Sequence, residues 1–156
     1  MSPHHHLLEL FQFGLGPFAG SAMLLVNRVF IGLFFAISGF HKLFNRHRHA
    51  QLVATLESDR IPAIAFNQWW VPLVEFSGGL ALLTGILAPM AAIILAFECL
   101  VAVGTDGRKR IASYRPIDRA DWLDDLLYLP ETLAIVALLI VATLGPGPFT
   151  VPSFLS

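Results

Sequence analysis

Charge is what this chain has least of: only 13% of its 156 residues are Asp, Glu, Lys or Arg, against about 25% in soluble domains. With 56% hydrophobic residues and a mean hydropathy of +0.69 it cannot assemble a water-facing shell, so it reads as a membrane protein. Ten Lys and Arg against eleven Asp and Glu give a net charge of −1, so no basic excess exists to neutralise phosphates, and no nucleic-acid partner is expected. A single cysteine, Cys99, excludes an intrachain disulfide and a CxxC redox pair. No CxxCH haem attachment, Rossmann fingerprint, P-loop or HExxH occurs. A covalently bound cofactor is therefore not expected, and any electron carrier is held noncovalently or belongs to a partner. Residues 1–20 contain no Lys or Arg, so they lack the basic start of a cleavable signal peptide and are expected to stay attached.

What the chain does have is apolar length. Residues 22–44, AMLLVNRVFIGLFFAISGFHKLF, suffice to cross the roughly 30 Å hydrocarbon core at about 1.5 Å per residue. On a helix Arg28, Gly32, Phe35, Gly39 and Lys42 fall within an arc of about 80°. Lipid does not solvate Arg or Lys at depth, and small residues let helices approach closely. This face is therefore expected to look into a bundle and the Leu, Ile and Phe face into lipid. The alternative for both cations is snorkelling to the head-group layers.

In chain order, residues 1–20 mix Leu and Phe with Gly14, Gly16, Pro17 and Gly20, too short and broken to span but suited to the interface. His4, His5 and His6 are adjacent and cannot all face one ion, so they read as a tail and not a metal site. The polar stretch 45–68 predicts a short surface helix ending before Pro62. Trp69 and Trp70 mark an interface. Further spans are expected at about 71–88, 90–104 and 126–144, with a charged loop at 105–125. The expected fold is all-α: an interfacial segment 1–20, then a four-transmembrane-helix bundle over 21–156.

The basic residues orient it. Three lie in the first polar loop, five in the second, and Arg28 and Lys42 in the first span complete the ten. By the positive-inside rule loops 45–68 and 105–125 are cytoplasmic, and both termini lie on the non-cytoplasmic side. This places Lys42, Glu75, Glu98 and Glu131 in the same inner half of the bilayer, one from each helix. Each charged side chain near a span's centre costs about 2.5–3.5 kcal/mol on insertion scales, and clustering relieves that load. Two arrangements satisfy such a cluster: a polar pocket for a small redox molecule or proton, or Lys–Glu pairing and hydrogen bonds that only fix packing. Glu131, just after Pro130, suits a helix's first turn, whereas Glu75 and Glu98 lie too deep to be caps. Gly78, Gly79 and Gly85 accompany Glu75 as packing positions. His41, His47 and His49 read as solvated interfacial residues, since His47 and His49 diverge on a helix. Asp118, Asp121, Asp124 and Asp125 lack EF-hand spacing and read as helix N-terminal charges. No metal site is expected.

Arg28 with Gly32, Ser38-Gly39, Lys42-Leu43, Ile61-Pro62, and then Glu75 with Gly78-Gly79 and Gly85 resemble the DoxX-like family of small bacterial membrane proteins. By motif the resemblance covers about residues 24–103, and order and spacing carry it. One departure is Arg60, where family members carry Gly before the Ile-Pro; the charged segment before the fourth span is another. The resemblance implies a four-helix protein of the bacterial inner membrane, tied to oxidoreductase systems, with Arg28, Gly39, Lys42, Glu75 and Gly79 at recurrent positions. Three functions follow as expectations. The first is a membrane subunit of a redox complex with a quinone-like molecule near Lys42, Glu75 and Glu98, auxiliary to other membrane subunits and not itself the enzyme. The second is a structural accessory subunit of a respiratory or photosynthetic assembly. The third is a small proton-coupled transporter.

Overall fold

The structure, a computed structural model, describes residues 16–151 and 153, with the side chains of 16–18 left aside; the expectations for His4–His6 and the rest of residues 1–15 lie outside the described residues. Among the described residues all regular structure is helical. The helices are α1 (Gly16–Phe44), α2 (Arg46–Ser58), α3 (Ile64–Thr84), α4 (Ala88–Ala102), α5 (Arg108–Tyr114), α6 (Arg119–Tyr128) and α7 (Pro130–Leu144). A π-helical turn, Val103–Gly107, joins α4 to α5 without a break.

Two helical stretches are long and apolar enough to cross a membrane, Ala19–Phe44 and Ala88–Tyr114. The pair α6 and α7, bent by 63°, makes a third if counted as one span. The outward faces are apolar, with Phe30 at 78% exposure and Phe97 at 68%, as contact with lipid requires. This is a membrane protein.

Several boundaries differ from those read in the sequence, each for a local reason. α1 begins at Gly16, so residues 16–20 belong to a helix and not to a separate segment. α3 starts at Ile64 and ends at Thr84, because Gly85 and Leu87 take left-handed conformations (φ 79° and 52°) and make the turn before Pro89 opens α4. The expected charged loop 105–125 is instead largely helical. Its charges find partners on and between helices: Arg110 Nε meets Asp106 at 2.8 Å four residues back, and Lys109 Nζ meets Asp59, at the end of α2, at 2.5 Å. Ile111, fully buried, anchors the same turn. α7 starts at Pro130, where ring sterics favour a helix's first turn and end the helix before it. Asn45 caps α2 by accepting from the His47 and Arg48 amides at 3.0 and 3.2 Å. Asp118 caps α6 by accepting from the Ala120 and Asp121 amides, each at 2.9 Å.

Contacts run α1 to α3, α3 to α4, α4 to α7 and α7 back to α1. Inside this circuit Ile31, Phe35, Leu82, Leu95, Leu138 and Val141 form one apolar cluster. α1 and α3 approach most closely, in antiparallel register. A Cβ on Gly39 would stand 2.6 Å from the Pro72 carbonyl oxygen, and one on Gly79 would stand 2.8 Å from the Gly32 carbonyl oxygen and from Ala36 Cα. Backbone thus meets backbone along this seam. Arg60 adopts φ 54°, a left-handed conformation that glycine takes without strain and arginine does not.

Candidate functional site

The close α1–α3 seam fixes the first half of the site. Lys42, on the last turn of α1, pairs with Glu75 at the middle of α3, Nζ to Oε1 2.5 Å. Ser38, one turn earlier on α1, donates to the other Glu75 oxygen at 3.3 Å. Both oxygens of a buried carboxylate are therefore held by one neighbouring helix. With its side chain only 9% exposed, Glu75 depends on this pair, since an unpaired charge there would lose its hydration without compensation.

The second half comes from α4 and α7. Glu98 and Glu131 line the same cavity as Lys42 and Glu75, a space of about 580 Å³. Its walls are mixed: Phe34, Phe35, Trp70 and Phe97 supply aromatic surface, and Arg48, Asp59 and Asp106 line it as well. Glu131 lies in the first turn of α7 and meets Arg110 through Oε1 at 2.7 Å. Glu98, unlike Glu75 and Glu131, makes no ion pair among the described residues. Its Oε2, like Glu131 Oε2, is buried with no hydrogen-bond partner among the described residues. An acid without a protein partner beside a cavity is equipped to accept a hydroxyl or N–H from a bound molecule once its side chain turns toward it.

Arg28 does not join this group. It sits fourteen residues before Lys42, about 21 Å along the helix, and at 2% exposure it is buried. Its guanidinium donates to the carbonyls of Pro146, at 2.6 Å, and Phe149, fastening the segment after α7 to α1. The five expected site residues thus divide into a cavity group, Lys42, Glu75, Glu98 and Glu131, and a separate clamp, Arg28. Gly32, Gly39, Gly78, Gly79 and Gly85 all stand where an added Cβ would crowd a neighbour: Gly78 against Leu95, Gly85 against Thr150 and Arg28.

Other residues were not singled out as site residues from the sequence. Arg110 could have been found only by continuing α4 through the charged segment. His49 is half-buried rather than freely solvated: its ring bonds the Lys42 carbonyl through Nδ1 at 3.0 Å and the Gln68 side chain through Nε2 at 3.3 Å, and packs at a tilt against Trp69, ring centroids 4.5 Å apart. It ties α2 and α3 to the end of α1. No cluster of His, Cys, Asp and Glu among the described residues is arranged to hold a metal ion.

A family model, DoxX, matches residues 23–106. The match spans α1 to the π-turn and takes in Lys42, Glu75 and Glu98, while Arg110 and Glu131 lie beyond it. No curated protein and no solved structure matches the chain. With more than half of its length matched, this chain belongs to the DoxX family of small integral membrane proteins.

Proposed function

We propose that this DoxX-family protein is a membrane subunit of an oxidoreductase complex, in which the cavity between α1, α2, α3, α4 and α7 receives a quinone-like molecule. The observation that carries the reading is Glu98, which lines a cavity that Lys42 also lines and whose buried Oε2 has no hydrogen-bond partner among the described residues. Lys42 suits a ring carbonyl as a charge-assisted donor, Glu98 suits a ring hydroxyl as an acceptor, and Phe35 and Trp70 suit the ring face. At about 580 Å³ the cavity falls within the usual range for small-molecule sites. A bound quinone would supply two-electron, two-proton redox chemistry, with electrons passing to and from partner subunits. The chain's own part is to bind, orient and keep the ring's polar groups paired.

The same reading takes the chain as a four-span bundle of the bacterial inner membrane. α3, at 21 residues, reaches about 32 Å, and its polar side chains are satisfied locally. Asn67 donates to the Pro62 carbonyl at 2.7 Å, Ser77 to Leu73 at 2.8 Å, and Glu75 pairs with Lys42. The eight basic residues of α2, α5, α6 and their connections favour a cytoplasmic position for that end. Cysteines placed at Ser113 and Leu87 in a Cys99→Ser background test this: a membrane-impermeant maleimide applied to intact cells should label position 87 and spare 113.

An accessory, purely structural role has one observation in its favour. The α5–α6 segment, outside the family match, exposes Ile117 at 94%, with Tyr114 and Trp122 beside it, a surface for a partner subunit. Purification after gentle extraction, followed by solvent extraction and chromatography of bound organics, separates the two. The redox reading requires copurifying redox subunits and a stoichiometric quinone that Glu98→Gln removes. Partners without any quinone would leave only the structural role.

A further inference from the structure

The polar cavity has an apolar neighbour. Between α1 and α7 runs a groove of about 520 Å³, lined by Met23, Val26, Phe30, Leu133 and Ala137 among others. Its one polar side chain, Asn27, is already engaged, donating to the Ala137 carbonyl at 2.9 Å. From Met23 to Phe34 the groove follows α1 for about 16 Å. Two elements border both spaces. Phe34 lines both spaces, and at the start of α7 Pro130 lines the groove while the adjacent Glu131 lines the cavity. The cavity that holds the charged groups thus adjoins the apolar groove at Phe34 on α1 and at Pro130–Glu131 on α7.

We propose that the α1/α7 groove holds the hydrocarbon tail of the ligand whose ring lies beside Lys42 and Glu98, so the ligand class is a lipid-tailed quinone that enters sideways from the bilayer between these two helices. The inference rests on the quinone-like reading of the cavity and adds the tail. Phe34 marks where ring and tail part: on one side lie the charged groups, on the other only carbon surface and a satisfied amide. A tail packed there would keep the ring from leaving along the membrane plane. A ring without a tail would have the cavity alone.

The test uses the full chain in phosphatidylcholine nanodiscs, with Trp69→Phe and Trp122→Phe so that Trp70, on the cavity wall, reports ring binding by saturable fluorescence quenching. The probes are 2,3-dimethoxy-5-methyl-1,4-benzoquinone with and without a decyl tail. Val26→Phe, at an exposed rim position, and Ala137→Phe fill the groove from opposite helices. Each should weaken the decyl probe about tenfold, equivalent to about 1.4 kcal/mol, and leave the tailless ring within about twofold. If both probes bind each variant as they bind the parent, the groove carries only bulk lipid and the tail proposal fails, while the ring reading stands. Equal loss of both probes would also overturn it, because the variants would then act on the cavity. No saturable quenching by either probe in the parent would refute the ring reading itself, and the tail with it.

Discussion

The α1–α3 seam is where a single methyl group should do the most damage. Gly39→Ala would place a Cβ 2.6 Å from the Pro72 carbonyl oxygen and 2.9 Å from Phe76 Cα; Gly79→Ala would place one 2.8 Å from Ala36 Cα and from the Gly32 carbonyl oxygen. These are backbone atoms, with no rotamer to move aside, so the helices must part. Separation by about 1 Å forfeits a quarter to a half of the dispersion attraction of every atom pair along the contact, and overpacking of this kind costs about 1–3 kcal/mol. Against that, alanine gains about 1 kcal/mol over glycine in a helix interior. Gly20→Ala isolates the gain, since a Cβ there meets nothing within 4 Å. Unfolding in mixed micelles titrated with sodium dodecyl sulfate, followed by far-ultraviolet circular dichroism, should find Gly20→Ala unchanged or stabilised. Gly39→Ala and Gly79→Ala should lie about 1–3 kcal/mol below it, the overpacking cost alone, since the helix gain is common to all three. Equal stability of all three would refute the close approach that sets Lys42 opposite Glu75.

Three further expectations follow from the same geometry. Lys42→Met should cost about 2–3 kcal/mol of unfolding free energy by stranding the Glu75 carboxylate, at the low end for a buried pair because the Lys42 side chain is 26% exposed; adding Glu75→Gln should recover part of the loss in a double-mutant cycle. Arg28→Lys should release the segment after α7, because one ammonium does not reproduce a planar fork donating to both Pro146 and Phe149, and limited proteolysis should then cut between residues 145 and 153 in the variant first. Arg60→Gly should stabilise the protein by about 0.5–1 kcal/mol by relieving the left-handed strain at φ 54°, and an unchanged melting temperature would contradict that account of the turn.

Helical periodicity carried much of this architecture. Arg28, Gly32, Phe35 and Gly39 share one face because 3.6-residue spacing is a property of the sequence, and the structure buries all four. The depth argument drew Lys42, Glu75, Glu98 and Glu131 to one level without knowing which would touch. Periodicity could not show that Arg28 turns to the backbone of a distant segment, since a carbonyl partner leaves no trace in residue type. It also misread 105–125 as a loop. A run of mixed charges looks solvated until its partners are known, and Asp59, which receives Lys109, lies fifty residues away. The groove and its junction at Phe34 were equally invisible, because a phenylalanine facing lipid and one dividing two cavities are the same letter.

The central claim is that Lys42 and Glu98 bind a small molecule inside the membrane, and native mass spectrometry of the protein extracted gently from its own membrane tests it most directly. The account predicts a stoichiometric quinone-like mass on the unaltered chain, lost in Lys42→Met and Glu98→Gln and kept in a variant confined to the Arg28 clamp. A chain that carries no such mass, or that keeps it when Glu98 is replaced, would contradict the account.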